Sequence, residues 1–194
     1  PFSRYVSPAV TGSGPDRTPS KELLRDDPAV TSLPPYVDDR PRDHAVPEGL
    51  YRYRLDIAYL GAGFAGWQRQ ANADTVQAHV EAALSELVGE SVAVVGASRT
   101  DAGVHARAQV AHIDLSRPFS TKGLVFGSNH HLPSEIRLLS AGLAPAGFHA
   151  RFSAAAKEYS YRIRPGRFVP PDLKPFVLAV PDRLDLERLQ AATL

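Results

Sequence analysis

The distribution of proline divides this 194-residue chain into two parts near residue 50. Nine of the 17 prolines fall within the first 49 residues, a stretch without sustained hydrophobic periodicity. Proline breaks helices and central strands, so such a segment buries too little apolar surface to offset its ordering entropy. We therefore expect residues 1–49 to form a mostly irregular, peripheral extension with a short helical turn at 20–25. Residues 50–194 are expected to contain the folded domain.

Composition excludes several classes of protein. The chain has no cysteine, which rules out disulfide frameworks, thiol nucleophiles and cysteine-based metal sites, and is typical of a reducing compartment. No apolar run approaches the roughly 18 residues that span a bilayer. No secretory signal is visible at the start, so we expect a cytoplasmic protein. Methionine is absent even at position 1, which indicates a processed, trimmed or partial product.

The hydrophobic pattern after residue 50 predicts alternating strands and helices. Residues 53–59 alternate apolar and polar side chains, as a half-buried strand does. Thr75 is a candidate N-cap for a helix that ends at Gly89. Strands in series with only two or three helices predict an α+β fold, with an antiparallel or mixed sheet and helices on one face. The remaining expected elements are strands at 92–95, 109–114, 137–141, 159–163 and 176–180, a loop at 98–107, and helices at 121–126 and from Asp185.

The predicted loop at 98–107 holds the densest group of chemically active side chains. Arg99, Asp101 and His105 fall within seven residues, and Gly103 permits a sharp backbone turn. A carboxylate on such a loop can act as nucleophile, general base or electrostatic stabiliser, and a neighbouring arginine favours its ionised form. The residues alone leave open a plain surface turn, in which Asp101 caps a backbone group and pairs with Arg99.

Several segments of the chain, taken in order, resemble the motifs of one enzyme family. Their sequences are FAGWQRQ at 64–70, TVQ at 75–77, RTDAGVHA at 99–106, NHHLP at 129–133, and FHARFSA followed by KEYSY at 148–161. Over residues 52–163 the set resembles the TruA-type tRNA pseudouridine synthases. Matches in the right order are far more specific than any one motif. The resemblance implies a pseudouridine-synthase-like fold of which this chain covers the N-terminal half.

The resemblance implies roles for individual residues. Asp101 matches the catalytic aspartate, Arg99 the arginine that pairs with it and helps hold the target nucleotide out of its stack, and Tyr159 the active-site tyrosine that stacks near the base. Gln68, Arg69 and His105 match positions near the RNA-binding cleft. The full set of predicted RNA-binding residues is Gln68, Arg69, His105, Arg107, Arg151 and Lys157.

The charge balance gives only a weak sign of RNA binding. Residues 1–49 carry a net charge of −2 and the remainder +3, whereas RNA-binding proteins usually show a basic patch. A scattered, solvated surface is the alternative. The basic side chains that would have to gather on one face are Arg52, Arg54, Arg69, Arg99, Arg107, Arg151, Lys157, Arg162, Arg164 and Arg167.

The resemblance also implies the reaction and the partners. A homodimer would convert uridine to pseudouridine in the anticodon stem-loop of tRNA, without a cofactor. The reaction breaks the N1–C1′ bond and rejoins the ring through C5, and the base must leave its stack first. The aspartate can attack the sugar, attack the base or assist proton removal from the sugar, and the sequence does not choose among these routes.

Two other functions stay open at this point. One is a catalytically silent RNA-binding fragment of such an enzyme. The other is a glycosidase-like hydrolase that pairs Asp101 with Glu135 or Glu158. A metal site is not expected, because the adjacent His130 and His131 point to opposite sides and no cysteine supports them.

The chain departs from the family pattern at specific points. Ser98 replaces a glycine often found before the arginine, and Leu60 stands where many members have an aspartate. The family's second half, with further strands and more of the cleft wall, has no counterpart here. If this chain were the whole molecule, we would expect an exposed apolar sheet edge and little or no activity. Trp67, Phe148 and Phe152 are expected to pack in the core.

Overall fold

The central strand of the fold is β1 (Tyr51–Tyr59), which has neighbours on both sides. The computed structural model describes residues 44–180, 184–185 and 187–188. β1 pairs antiparallel with β3 (Ala106–Leu115) and with β4 (Ile136–Leu143), and β3 pairs antiparallel with the short β2 (Val95–Gly96). The order β2-β3-β1-β4 confirms the antiparallel sheet of the predicted α+β fold.

Two helices pack against this sheet. The first, α1 (Val76–Val88), ends at Gly89, whose φ of 75° places it in the left-handed conformation that glycine adopts readily. The second, α2 (Thr121–His131), is capped by the Ser120 hydroxyl, which accepts a hydrogen bond from the Gly123 amide at 3.3 Å. Thr75 precedes α1 as predicted, but its fully buried side chain makes no cap hydrogen bond.

A single buried cluster lies between the sheet and both helices. Alternate residues of β1 point into it, which confirms the predicted period of two. α1 and α2 contribute to the same cluster, so the helices lie on one face of the sheet. Trp67 belongs to this core as expected. The fully buried large side chains are Trp67, Leu55, Ile57, Leu84, Ile113, Leu115, Leu124, Ile136, Val76 and Val80.

The predicted strand at 92–95 is wrong over most of its length, since only Val95 lies in β2. The reason is a competing partner. The Val94 amide donates to the Glu81 carboxylate at 3.0 Å instead of joining a strand ladder. β3 begins at Ala106, inside the predicted loop, and α2 continues five residues beyond the predicted 126.

The predicted strand at 159–163 is also wrong, because only its last residue is extended in a ladder. β5 (Ile163–Pro165) pairs parallel with β6 (Leu178–Val180), so the strand predicted at 176–180 is confirmed only in its second part. Within the described residues, 154–161 have no hydrogen-bonded neighbouring strand, and a strand forms only where its backbone groups find a partner.

The ends of the chain are described only in part. The Arg188 amide donates to the Asp185 carboxylate at 3.0 Å, as at a helix N-cap, where the sequence predicts a last helix. The rest of that helix and the helical turn predicted at 20–25 lie outside the described residues. No helix in the described part is both long enough and apolar enough to cross a membrane.

A polar cluster around Arg52 attaches the segment before β1 and the segment after β4 to the face of the sheet opposite the helices. The Arg52 guanidinium binds both carboxylate oxygens of Asp114, at 2.7 and 2.8 Å, and donates to the carbonyls of His44 and Phe148. The buried His112 accepts a hydrogen bond from the Ala150 amide at 3.1 Å. Each guanidinium nitrogen of Arg52 is therefore bonded within the chain, which gives this basic residue a structural role.

Two aromatic residues lie in this cluster and not in the main core. Phe152 is 42% exposed and stacks on His44 with ring centroids 4.6 Å apart. Phe148 is half-buried and meets His112 edge-on. The expectation that both phenylalanines are core residues is wrong, because the segment that carries them packs on the polar face of the sheet.

Acid should destabilise the fold through His112. Burial, together with the charge of Arg52, lowers the pKa of His112 from 6.5 to about 4. Above pH 6.5 both the folded and the unfolded states hold a neutral imidazole; below it only the unfolded state takes up the proton. We expect the free energy of unfolding to fall by about 2–3 kcal/mol from this group between pH 7 and 4. The lowered pKa values of His149 and Asp114 act in the same direction.

Urea unfolding of two variants across this pH range tests the assignment. His112→Asn keeps a hydrogen-bond acceptor for the Ala150 amide but does not titrate, so its stability should depend less on pH than that of the parent. His130→Asn replaces an exposed histidine and should keep the parent slope. Equal slopes for His112→Asn and the parent would show that His112 is not the responsible group.

Candidate active site

Two loops meet at the end of the sheet where β1 stops and β3 starts. The first follows β1 and contains a 3₁₀ turn at Gly61–Gly63. The second joins β2 to β3 and carries Asp101. Hydrogen bonds join them from the Trp67 amide to the Thr100 carbonyl at 2.9 Å and from the Gly103 amide to the Phe64 carbonyl at 3.2 Å. The backbone around Asp101 is thus fixed by the first loop.

Glycine is required where these loops touch. A methyl group at Gly66 would lie 2.6 Å from the Thr100 carbonyl oxygen, and Gly66 also has a φ of 100°. A methyl group at Gly61 would collide with the Val104 backbone. Gly103 turns the second loop with a φ of 79° in open space, as its sequence position predicts. The glycines therefore serve close approach of two backbones near a carboxylate.

The structure brings Asp101 and Arg99 onto one exposed loop but does not pair them. Both side chains are exposed, and neither makes a hydrogen bond or ion pair to any part of the chain that the structure describes. The Val104 amide donates to the backbone carbonyl of Asp101 at 3.2 Å, which closes a turn. The carboxylate is therefore held by its backbone alone and is open to a ligand.

The buried Tyr59 makes a hydrogen bond to the loop that carries Asp101. The hydroxyls of Tyr59 and Thr100 are 2.9 Å apart, and Tyr59 is only 3% exposed. Burial raises the pKa of Tyr59; the hydrogen bond with Thr100 opposes this shift, and the proximity of Tyr159 adds to it. Tyr159 is itself 60% exposed, and the Lys157 ammonium, two residues before it, donates to the Ala97 carbonyl at the root of the Asp101 loop. The fold thus brings two of the predicted catalytic segments together.

Removing the Tyr59 hydroxyl should loosen the Asp101 loop. Tyr59→Phe is expected to cost about 1 kcal/mol of stability and to lower the turnover of any reaction that uses Asp101. Tyr53→Phe is the matched control, because its hydroxyl bonds the Phe119 backbone at 2.8 and 2.9 Å and contacts neither active-site loop. We expect Tyr53→Phe to lower the melting temperature but not the turnover. An equal turnover in both variants would contradict a role of Tyr59 at the site.

Further side chains hold the root of the Asp101 loop. The Ser98 hydroxyl donates to the Gln109 side-chain carbonyl at 3.1 Å, and the Gln109 side-chain amide donates to the Ser98 backbone carbonyl at 2.7 Å. The Lys157 ammonium donates to the Ala97 carbonyl at 2.9 Å. Lys157 is thus placed beside the loop, two residues before Tyr159.

The predicted RNA-binding residues of the first loop lie over a buried polar network. The Arg69 amide donates to Gln77 at 2.9 Å, and the Arg69 guanidinium lies 3.3 Å from the carboxylate of Glu81. Glu81 is buried and also accepts from Gln77 at 3.1 Å. Gln68, the residue before Arg69, is exposed. Glu81 is not among the residues predicted from the sequence, although its spacing of four residues from Gln77 places both on one face of α1.

His105 joins three segments of the chain. Its Nδ1 accepts a hydrogen bond from the Gly61 amide at 3.1 Å, and its Nε2 bonds the Pro175 carbonyl at 2.7 Å. Since a carbonyl only accepts, Nε2 carries the proton and the ring is neutral. Its ring also packs on Phe176 with centroids 4.8 Å apart. These contacts give His105 a structural task, and its contact with RNA stays a prediction.

Arg107 and Arg151 are both exposed but lie in different surroundings. Arg107 sits where β3 has one more residue than β1, between the pairs Ile57–Gln109 and Tyr59–Ala106. Such a bulge re-aims side chains at the end of a strand. Arg151 lies in the segment beside His149, whose Nδ1 accepts from the Arg151 amide at 3.2 Å. Their roles in binding RNA stay predictions.

The candidate site contains no group of side chains suited to a metal ion. Across the described ranges, His, Asp and Glu residues do not cluster in threes in a way that could ligate one. His131 instead lies 3.3 Å from the Glu86 carboxylate. The candidate site therefore provides one carboxylate, one arginine and one tyrosine on neighbouring loops.

Fold and site together define part of an α+β catalytic domain with an exposed carboxylate at the end of its sheet. A sequence model of the family described as tRNA pseudouridine synthase matches residues 57–153, half of the chain. That range includes Asp101 and both loops around it. The chain belongs to the tRNA pseudouridine synthase family.

Individual relatives agree with this assignment. The tRNA pseudouridine synthase A of Nitrobacter winogradskyi is 47% identical over 142 residues, which cover 73% of this chain and 56% of the relative. That of Mesorhizobium japonicum is 44% identical over 144 residues, covering 73% and 58% respectively. That of Nitrobacter hamburgensis is 50% identical over 113 residues, covering 58% and 46%. The chain spans about half the length of these curated relatives.

Proposed function

We propose that the protein carrying this chain converts uridine to pseudouridine in tRNA, with Asp101 as the catalytic carboxylate. The observation that supports this most is the presentation of Asp101. Its backbone is fastened to a second loop by hydrogen bonds, whereas its side chain has no partner in the described structure. A carboxylate that projects from a fixed backbone and is not paired within the described structure is available for a covalent or electrostatic step at a sugar.

The reaction balances without an added reactant. The N1–C1′ bond of the uridine breaks, the C5–C1′ bond forms, the C5 proton leaves to solvent and N1 gains a proton. The carboxylate of Asp101 assists this exchange by attack on the nucleotide or by removal of a proton. Nothing is oxidised or hydrolysed, so the mechanism that we propose uses no cofactor.

Arg99 and Tyr159 supply the other parts of the proposed site. Extracting a nucleotide from its stack costs a few kcal/mol. An arginine that fills the vacated space and an aromatic ring that stacks on the base offset this cost. Both side chains are exposed; Arg99 lies on the loop of Asp101, and the segment of Tyr159 is bonded to the root of that loop through Lys157. The RNA around the target base would contact four exposed residues: Gln68, Arg69, Arg107 and Arg151. The less exposed His105 would contribute to the same surface.

Finer features of the function belong to the same proposal. We place the target uridines in the anticodon stem-loop, the enzyme in the cytoplasm and the active form in a homodimer. Single-stranded loops are where RNA bases are most easily splayed out for recognition. A homodimer is testable by light scattering during size-exclusion chromatography, where a mass of one subunit would contradict it.

The proposal is tested by incubating the complete protein with unmodified tRNA transcript and mapping the products. We expect pseudouridine after nucleoside chromatography, located in the anticodon stem-loop by carbodiimide-dependent primer-extension stops. Pseudouridine elsewhere in the tRNA would overturn the site preference only. Binding that weakens steeply with salt but yields no product would support the silent RNA-binding alternative.

A further inference from the structure

The segment that carries Tyr159 makes few hydrogen bonds to the rest of the described chain. Residues 154–162 form no helix or strand. From 154 to 161, the bond from the Lys157 ammonium to the Ala97 carbonyl is the one hydrogen bond that reaches another part of the described structure. The position of Tyr159 therefore depends heavily on Lys157.

The acceptor of this bond lies in the other half of the site. Ala97 is buried, and its amide donates to the Val110 carbonyl at 2.8 Å, so the residue is fixed on the sheet. Ala97 stands two residues before Arg99 and four before Asp101. The bond spans 60 residues of sequence and joins the root of the Asp101 loop to the segment of Tyr159.

We propose that Lys157 is a positioning residue that sets Tyr159 against the Asp101 loop, and not a contact for the RNA backbone. This inference rests on the proposed function, in which Tyr159 stacks on the target base. A hydrogen bond from a charged donor is stronger than one between neutral groups, which suits a single tether. Losing it would let Tyr159 drift from a geometry in which displacement by about 1 Å costs up to about 100-fold in rate.

The test compares Lys157→Gln, Lys157→Arg and the control Lys122→Gln in the complete protein. Lys122 is an exposed lysine at the start of α2 with no side-chain partner in the described structure. For Lys157→Gln we expect kcat to fall by about 10- to 100-fold, with KM for tRNA and the salt dependence of tRNA binding unchanged. Lys157→Arg keeps a charged donor and should recover most of the loss, and Lys122→Gln should match the parent.

A phosphate contact would give the opposite pattern. In that case Lys157→Gln would raise KM and Kd, reduce the salt slope by about one and leave kcat unchanged, which would overturn the proposal. An unchanged kcat together with an unchanged KM would overturn it as well.

A second readout does not depend on activity. A nitroxide on Ser160→Cys reports the mobility of this segment, once any cysteine outside this cysteine-free chain has been replaced by serine. We expect narrower electron-spin resonance lines when Lys157→Gln is added, and no change with Lys122→Gln. If the parent protein makes no pseudouridine, the proposed function fails, while the spin label still decides whether Lys157 is the tether. Unchanged resonance lines in the Lys157→Gln variant would overturn the proposal that Lys157 fixes this segment.

Discussion

Replacing Asp101 with asparagine is expected to reduce pseudouridine formation by about a thousand-fold or more. The asparagine is nearly isosteric but has no negative charge and cannot attack the nucleotide or accept its proton. The side chain is exposed and makes no contact in the described structure, so removing its charge breaks no native interaction. The melting temperature should therefore stay within about 2 °C of the parent, and tRNA binding should persist.

Asp172→Asn is the matched control for this substitution. Asp172 is another exposed aspartate without a side-chain partner among the described residues. We expect the Asp172 variant to retain parent turnover, which separates the loss of one particular carboxylate from a general effect of surface charge. Parent turnover in the Asp101 variant would show that the catalytic assignment is wrong.

Replacing Gly66 with alanine should produce a large loss of stability near the site. The new methyl group would lie 2.6 Å from the Thr100 carbonyl oxygen and 3.1 Å from the Asp101 carbonyl carbon, both backbone atoms that cannot rotate away. A φ of 100° adds strain for any residue with a Cβ. We expect a loss of about 2 kcal/mol or more in urea unfolding. Turnover should fall further than stability explains, because relief of the clash moves the backbone of Asp101.

Gly63→Ala in the same loop is the control for Gly66→Ala. A methyl group at Gly63 would meet nothing within 4 Å, and Gly63 has no positive φ. Its stability should stay within about 0.5 kcal/mol of the parent, with unchanged turnover. If both alanine variants behave alike, the two loops do not touch as described.

Local patterns predicted the elements that repeat a simple rule along the chain. The alternation along β1 and the helical spacing that ends at Gly89 each depend on neighbours in sequence, and both are confirmed. The strand expected at 92–95 failed because a side chain on a helix took the Val94 amide. Such competition between a carboxylate and a strand ladder has no local signature in the sequence.

The site shows the same division between local and distant information. Motif resemblance located the loop of Asp101 and the segment of Tyr159, but not how they are held. The Tyr59–Thr100 bond and the Lys157–Ala97 bond join residues 41 and 60 positions apart. The first of these contacts follows from the sheet order, which places the end of β1 beside the start of β3, and the second joins the end of β2 to a segment outside the sheet. The spacing of residues within a motif does not reveal the order of strands in the sheet.

The fate of the C5 hydrogen tests the central claim most directly. The complete protein would be incubated with tRNA whose uridines carry tritium at C5, without added cofactor. Formation of a C5–C1′ bond must expel this hydrogen, so we expect tritium in water, no free uracil and only background release by the Asp101→Asn variant. Free uracil that still carries its tritium would indicate a hydrolase and contradict the account, as would a bound tRNA that releases no tritium at all.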